Sequence, residues 1–257
     1  MIVARKFYLS FFNQNNFNTF PTRYFTQQCF AKQIVYRIIF QIKTNLKHEN
    51  MAIINVLKEP FRKSNLQSKR KGLKNKDFSI ISSNCNGGCI LHDLGMRFNS
   101  PFVNLWIKPQ DFLKLLKDIH HYLSCDIVFT KEESIDYPVG LLDDVRIYFQ
   151  HYKTEQEAKS KWMDRVKRIN YSNLFVMFSD RDGCTESDLQ EFDRMPYKNK
   201  VAFVHKPYPA IKSAFYIKGF EEEESVGILS RYKGLLTLEK YYDDFDYVGW
   251  LNSNASV

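Results

Sequence analysis

The sequence predicts an α/β protein, specifically a three-layer α/β/α domain built around a mostly parallel sheet. Two observations lead to this class. Short, uniformly apolar runs alternate along the chain with segments of helical periodicity, and several of these runs lack the polar residues of a half-exposed strand. Strands covered on both faces by helices have this composition. A single domain is predicted over residues 77–257, which is long enough to bury a sizeable core.

The strands are predicted where short runs are rich in β-branched and aromatic residues. The first is Phe78–Ser82, and it ends in the turn sequence SNCNGG. Pro101–Ile107 is predicted to be a short extended piece. Further strands are expected at Asp126–Thr130, Val145–Phe149, Leu174–Phe178 and Lys200–Val204, with one more beyond Ile211.

Three helices are predicted between these strands. The first begins near Pro109, with apolar residues at three- and four-residue steps as far as Leu123. The second spans Thr154–Ile169, where Thr154 and Glu157 have the spacing of a capping box. The third is a short helix at Asp188–Met195. Each follows a predicted strand or extended piece, as the α/β class requires.

Charge divides the chain unevenly. The whole sequence has 37 basic and 29 acidic residues, a formal net charge of +8. Residues 1–76 contain 15 basic and 2 acidic residues, a balance of +13. The remainder therefore contains 37 − 15 = 22 basic and 29 − 2 = 27 acidic residues, a balance of −5. Because the predicted domain is mildly acidic, nucleic acid is not expected as a partner.

Residues 1–50 are predicted to be a leader, either non-native or flexible. They include an amphipathic basic helix at 27–47, and Met51 is favoured as the natural start. The alternative is that this helix rests on an anionic membrane surface. Residues 51–76 form a basic lead-in, interpreted as a solvated helix face or linker. The alternative is a contact for phosphates of lipid, nucleotide or nucleic acid.

Cysteine usage is typical of a protein of a reducing compartment. The five cysteines are an odd number, and Cys85 and Cys89 are not accompanied by a second pair with zinc-ligand spacing. We therefore predict a cytoplasmic protein with reduced thiols and no metal site. The sequence identifies no cofactor. No apolar run reaches the roughly 18 residues of a membrane-spanning helix.

Three polar clusters follow predicted strands, at Ser82–Gly88, Ser179–Cys184 and His205–Pro209. Ligands of open α/β sheets bind at the carboxyl ends of the strands. The sequence therefore predicts a site where these three clusters meet.

The first cluster predicts an anion site. Asn84, Gly87 and Gly88 would present backbone N–H groups near a helix N-terminus, which favours negative charge. Cys85 is a candidate nucleophile, because a helix N-terminus lowers a thiol pKa. The alternative for Cys85 is a packing role, since no paired base is evident in the sequence.

The second and third clusters offer acid–base and binding groups. Asp180 and Asp182 could hold a cation or act as a general base, whereas a turn with an Arg181 ion pair is the alternative. His205 and Tyr208 lie in the proline-fixed sequence HKPYP and could face a pocket. The alternative for His205 is a structural histidine with its hydrogen bonds satisfied.

A further group lies near the second helix. His151 follows a predicted strand and is a candidate general base, because histidine titrates near neutrality. Arg165 and Arg168, with Lys161, have helical spacing and could clamp a phosphate or carboxylate. The alternative is an ordinary capped helix with a solvated basic face.

Taken in order, several stretches are similar to a bacterial family: KNKDFSIISSNCNGG, RFNSPFVNLWI, YPVGLLDDVRIYFQHYKTEQEAKSKW, FSDRDGC and HKPYPAIKSAFYIKGF. The chain resembles domain-of-unknown-function family 1919, often labelled exopolysaccharide biosynthesis protein, from about Asn75 to Leu251. The resemblance implies an α/β fold and a link to surface polysaccharide assembly, and it assigns no catalytic residue. Relatives often carry an aromatic residue where this chain has Asn86.

The polar clusters predict a ligand site, and the family resemblance implies a role in exopolysaccharide or capsule biosynthesis. Together they favour a transferase-like enzyme that acts on a sugar or sugar nucleotide, with glycosyl and acyl transfer both open. The alternative is a non-catalytic scaffold or regulatory module of a polysaccharide assembly complex. In that alternative, the basic lead-in docks the protein peripherally on the inner face of the membrane.

Overall fold

The structure is a computed structural model that describes residues 58–235 and 237–254. The predicted leader at 1–50, its amphipathic helix and the first residues of the lead-in lie outside the described residues. The chain divides into two units, Met1–Ile53 and Ile54–Val257, and the fold below belongs to the second unit.

Seven strands form two sheets. The larger sheet is parallel throughout, with the spatial order β1 (Ser79–Ser82), β5 (Leu174–Ser179), β6 (Asn199–Val204) and β7 (Ala214–Tyr216). The smaller sheet is antiparallel and contains β2 (Val128–Thr130), β3 (Val139–Leu142) and β4 (Val145–Tyr148). The predicted α/β class with a mostly parallel sheet is confirmed.

Helices connect these strands. They are α1 at 58–72, α2 (Asn86–Leu94), α3 (Pro109–Lys117), α4 (Ile119–Ser124), α5 (Glu155–Val166), α6 (Glu186–Arg194) and α7 (Tyr247–Asn252), with a 3₁₀ turn at Tyr241–Asp244. The single helix expected after Pro109 is two helices in the structure. Asp118 leaves the helical conformation and accepts a hydrogen bond from the backbone N–H of His121 at 3.1 Å, which caps α4.

The parallel sheet separates two hydrophobic cores. Successive side chains of a strand point to opposite faces, so Ile81 joins one core and Ile80 joins the other. Helices α3, α5 and α6 cover the first face, and α2 and α7 cover the second. Burial on both faces explains the uniformly apolar composition of β5, in which every residue from Phe175 to Ser179 is buried.

The antiparallel sheet was not predicted as a separate unit. The strands expected at 126–130 and 145–149 are present as β2 and β4, but both pair with β3 instead of joining the parallel sheet. Only Asp143 and Asp144 lie between β3 and β4, and Asp143 has a φ of 53°. A two-residue turn of this kind forces adjacent strands to run antiparallel.

Helix α1 lies within the folded unit, and several of its basic side chains point inward. Arg62 is 3% exposed and donates hydrogen bonds to the carboxylates of Asp93 and Asp243. Lys58 is also buried and donates to the carbonyl of Gly234 at 2.7 Å. Part of the charge of the basic lead-in is therefore neutralised inside the fold.

Candidate active site

The parallel pairing brings two of the predicted clusters into direct contact. Strands β1, β5 and β6 are adjacent, with Ser82 opposite Met177 and Ser179 opposite Phe203, so the residues after each strand share one edge of the sheet. The amide Nδ2 of Asn84 donates to the hydroxyl of Ser179 at 2.9 Å. The loop after β1 is thus tied to the end of β5.

Asp180 and His205 form a buried pair at this edge. The side chains are 4% and 11% exposed. The Oδ2 atom of Asp180 accepts from the backbone N–H of His205 at 2.8 Å and lies 2.5 Å from His205 Nδ1. Its Oδ1 atom accepts from the backbone N–H of Val226 at 2.8 Å. The Asp180 carboxylate therefore positions the imidazole. It also connects the ends of β5 and β6 with the loop that contains Val226, called the 226 segment below.

The partner of Nδ1 determines the tautomer of His205. An ionised carboxylate only accepts hydrogen bonds, so Nδ1 carries the proton that it donates to Asp180. The other ring nitrogen, Nε2, makes no hydrogen bond with a described residue. In a neutral imidazole Nε2 then carries the lone pair, which is the arrangement of a general base held by a carboxylate.

The N-terminus of α2 lies at the same edge. Asn84 Oδ1 accepts from the backbone N–H of Asn86 at 3.1 Å, whereas the N–H groups of Gly87 and Gly88 find no acceptor among the described residues. The hydroxyl of Ser82 is buried and has no hydrogen-bond partner there either. Free helix N–H groups beside an unpaired hydroxyl favour an anion.

The sequence analysis placed the two glycines in a turn before the helix, but in the structure both lie inside α2. A Cβ on Gly87 would lie 2.7 Å from Ile80 Cγ2 and 3.0 Å from Ser82 Cβ. A Cβ on Gly88 would lie 3.2 Å from Val103 Cγ1. Gly87 is required because α2 packs closely against β1, whereas a Cβ at Gly88 would make a tight contact with the 101–107 segment.

Cys85 immediately precedes α2, but its thiol is not activated. Burial is the main cause that raises the pKa of Cys85 to about 11, and the neighbouring Cys89 raises it further. The positive charge of Arg181 and hydrogen bonds from backbone groups oppose this rise only in part. The effect expected from the helix N-terminus is outweighed, so Cys85 is a neutral thiol at neutral pH.

Two other predicted residues of this edge are more peripheral. Asp182 is exposed with a φ of 59° and forms a turn with Gly183, whose φ is 86°. Its carboxylate makes no hydrogen bond with a described residue, and Arg181 forms no ion pair with one. The turn is therefore present without the ion pair that the sequence analysis expected for it. Tyr208 is half-buried, and burial raises its pKa, while Lys206 lies 5.5 Å above its ring.

Among the described residues, no hydrogen bond or ion pair links His151, Arg165 or Arg168 to the Asp180–His205 pair. Arg165 donates to the hydroxyl of Tyr152 at 2.7 Å, and Arg168 donates to the carbonyl of Phe98 at 3.4 Å. Both guanidinium groups therefore have protein partners. His151 is exposed, and its backbone N–H donates to the carbonyl of Asn104 at 3.3 Å.

The sequence analysis placed Ser82 and Ser179 in the polar clusters without giving either a role, and it did not identify the N–H group of Val226. Both serines are the last residues of their strands, and that position is the signal that could have identified them. The contribution of Val226 had no such signal, because it depends on a contact between residues 46 positions apart.

Residues 58–235 and 237–254 contain no group of three His, Cys, Asp or Glu side chains arranged to hold a metal ion. None of the helices described for these residues combines the length and apolar character needed to cross a membrane.

The fold and this edge define an α/β protein with a polar site at the carboxyl ends of a parallel sheet. A family model described as "Domain of unknown function (DUF1919)" matches residues 56–252, and the chain belongs to this family. The predicted family is thereby confirmed. A protein of Haemophilus influenzae described as "Uncharacterized protein" is 53% identical over 183 residues, which cover 71% of this chain and 88% of the relative.

Proposed function

We propose that the protein is a group-transfer enzyme that acts on a sugar or sugar nucleotide in the assembly of bacterial exopolysaccharide or capsule. The observation that carries the proposal is the buried Asp180–His205 pair, whose imidazole Nε2 makes no hydrogen bond with a described residue. The substrate class rests on what the family resemblance implies, since members are often labelled exopolysaccharide biosynthesis proteins.

In this proposal His205 is the general base. Nε2 removes the proton from an acceptor hydroxyl as that oxygen forms a bond to the glycosyl or acyl carbon of the donor. The bond from that carbon to its leaving group breaks in the same reaction, and the nucleoside diphosphate or the thiolate of coenzyme A leaves. Asp180 keeps the imidazole in the required tautomer and stabilises the imidazolium that forms. The role that the sequence analysis gave to His151 as base passes to His205 in this mechanism.

The N-terminus of α2 would bind the phosphate of a nucleotide donor. The N–H groups of Gly87 and Gly88 are oriented by the helix, and the hydroxyl of Ser82 would contribute a third hydrogen bond. Arg181 lies close enough to lower the pKa of Cys85 and would add positive charge beside the phosphate. Cys85 itself lines this region in the proposal and is not the nucleophile.

The alternative is the non-catalytic scaffold, and one observation favours it. Both oxygens of Asp180 already accept backbone N–H groups, so the pair could serve only to hold β5, β6 and the 226 segment together. The two functions differ in what the imidazole ring contributes. A structural clamp needs the Asp180 carboxylate, whereas catalysis also needs His205 Nε2.

The first prediction concerns His205→Gln, which retains an N–H donor for Asp180 but removes the base. We expect surface polymer, measured in a strain that carries only the variant, to fall by about 10²-fold or more, because a general base contributes rates of that order. Thermal unfolding of the purified variant should remain close to that of the unchanged protein.

The matched control is His151→Gln, which changes an exposed histidine outside the pair. We expect it to leave polymer unchanged. Nucleotide sugars and acyl-CoA are added to the unchanged protein in a thermal-shift screen, where a bound ligand raises the melting temperature. The enzyme proposal is rejected if no ligand stabilises the protein and His205→Gln still makes normal polymer.

If the protein is a scaffold, we propose that its basic lead-in contacts the membrane surface peripherally. Flotation of the full chain with anionic and neutral vesicles would test it. Binding to anionic vesicles alone would support docking by the basic lead-in. Since Lys58 and Arg62 are buried, exposed cations such as Lys63 and Lys71 would have to make this contact.

A further inference from the structure

A polar groove lies at the opposite, amino edge of the parallel sheet. Residues 74–77 precede β1, residues 170–173 precede β5, and Lys198 precedes β6, so three neighbouring strand starts line one cavity of about 800 Å³. A second cavity of about 450 Å³ shares Ser172, Lys198 and Asn254 with it. The shared residues make the two cavities one elongated groove, called the amino-edge groove below.

The wider part of the amino-edge groove is positively charged. Lys74, Lys76 and Lys198 line it and are exposed, and none of them makes an ion pair with a described residue. Asp77 is the single acidic residue that lines this cavity. Three cations against one carboxylate favour an anionic ligand over a neutral or cationic one.

Amide side chains form the floor of this part. Asn173 Nδ2 donates to the carbonyl of Asp77 at 2.7 Å, and Asn254 Nδ2 donates to Asn173 Oδ1 at 3.3 Å. The Oδ1 atom of Asn254 is buried and accepts no hydrogen bond from a described residue. Amides both donate and accept, which matches the hydroxyl groups of a sugar, and these amides are already held in place by their neighbours.

The narrower part supplies an aromatic surface. The ring of Tyr171 is stacked on His120 at 4.3 Å, and Tyr171 is 38% exposed. Tyr197 also lines this cavity and donates its hydroxyl proton to the carbonyl of Leu116 at 2.7 Å. An exposed aromatic face beside amides and lysines suits a ring with apolar C–H faces and polar edges.

We propose that the amino-edge groove binds an acidic oligosaccharide, a segment of the polymer on which the enzyme acts. The choice of polymer rests on the proposed function, whereas the anionic sugar chemistry rests on the groove. The amino and carboxyl edges are separated by the length of β5, which is six residues or about 20 Å. The groove therefore docks the polymer away from the reacting groups.

A nucleic acid is a less favourable occupant. Sequence-tolerant strand binding relies on a series of aromatic platforms along a basic channel. Here the exposed aromatic face is that of Tyr171, and its other side is occupied by His120. The amides beside the lysines are instead those of Asn173 and Asn254, and Asn254 Oδ1 accepts no hydrogen bond from a described residue.

The test uses the full chain and a hexamer of galacturonic acid as the probe, titrated by calorimetry. We expect binding that weakens with added salt, and weaker or undetectable binding of a neutral maltohexaose. The triple variant Lys74→Gln, Lys76→Gln, Lys198→Gln should lose at least about tenfold in affinity, because three charge-assisted contacts are removed.

The matched control removes the same charge elsewhere, through Lys63→Gln, Lys71→Gln and Lys161→Gln, which are exposed and outside the groove. This variant should bind the acidic hexamer as the unchanged protein does. Equal losses in the two triple variants would show nonspecific charge attraction and overturn the proposal. So would a single-stranded oligothymidylate that binds as tightly as the acidic hexamer.

The experiments distinguish failure of the groove proposal from failure of the proposed function. His205→Gln lies at the other edge and should bind the acidic hexamer unchanged, even where it abolishes polymer formation. If no nucleotide sugar or acyl-CoA binds the protein but the acidic hexamer does, the enzyme proposal fails and the groove stands. If nucleotide sugars or acyl-CoA raise the melting temperature but the acidic hexamer does not bind, the groove proposal is rejected and the enzyme proposal stands.

Discussion

At the residue scale, the fold controls protonation by distributing burial and hydrogen bonds. Asp180 is buried, yet its carboxylate accepts two backbone N–H groups and faces His205 Nδ1, so the buried charge is satisfied. Cys85 is also buried, and the loss of solvation raises its pKa more than Arg181 and nearby backbone groups lower it. At the same edge of the sheet, hydrogen bonds therefore satisfy the buried Asp180 carboxylate, whereas burial disfavours the thiolate of Cys85.

The second prediction follows from the raised pKa of Cys85, about 11. At pH 8 the folded protein should be alkylated at Cys85 on the order of a hundredfold more slowly than the urea-unfolded chain, because the thiolate is the reactive form. Mass mapping after iodoacetamide treatment measures this rate. Arg181→Gln should slow it further, since Arg181 lowers the pKa. Equal rates in folded and unfolded protein would contradict the prediction.

At the element scale, the position of α2 depends on glycine at its first turn. The third prediction is that Gly87→Ala destabilises the protein by about 1–3 kcal/mol, because the new Cβ would lie 2.7 Å from Ile80 Cγ2. Gly72→Ala in α1 is the control, since its Cβ would find its nearest neighbour at 3.7 Å, in ordinary contact. Urea unfolding measures both. A stable Gly87→Ala protein would mean that α2 is free to move away from β1.

Helix α1 is anchored by ion pairs that the charge pattern did not reveal. The fourth prediction is that Arg62→Ala lowers the free energy of unfolding by about 3–5 kcal/mol, because buried Asp93 loses its close cation and keeps, among the described residues, only Lys240 at 4.0 Å. Lys63→Ala, an exposed neighbour, should cost almost nothing. Chemical unfolding at neutral pH measures both changes, and similar losses in the two variants would contradict the anchoring role.

The ion pair between Arg62 and Asp243 should also make the stability of the protein depend on pH. Burial raises the pKa of Asp243, but hydrogen bonds from Arg62 and Lys69 outweigh it and hold that pKa below its usual value. A carboxyl group whose pKa is lower in the folded than in the unfolded protein stabilises the fold at pH values above its unfolded pKa of about 4. This stabilisation is lost as the pH falls through the pKa of the folded state. The unchanged protein should therefore lose stability more steeply below about pH 4 than Arg62→Ala does.

At the scale of the whole molecule, sequence reasoning succeeded where burial alone sets the pattern. The apolar runs of β5 and β6 face two cores, so their composition identifies them and places Asp180 and His205 after adjacent strands. It could not assign pairing that depends on long-range contacts, such as the separate antiparallel sheet. It also treated Arg62 as a solvated cation, because its partners lie 31 and 181 residues away.

The two edges of the sheet should behave as independent sites, which is the fifth prediction. Lys198 and His205 lie at opposite ends of β6, about 20 Å apart, and changes at such distances usually add within about 0.5 kcal/mol. Because each single change is expected to cost little stability, the double variant Lys198→Gln, His205→Gln should unfold in urea close to the unchanged protein. Asp180→Asn with His205→Gln provides the contrast, since these residues are hydrogen-bonded and their effects should not add. Coupling between Lys198 and His205 as strong as that of the bonded pair would show that the sheet transmits strain from edge to edge.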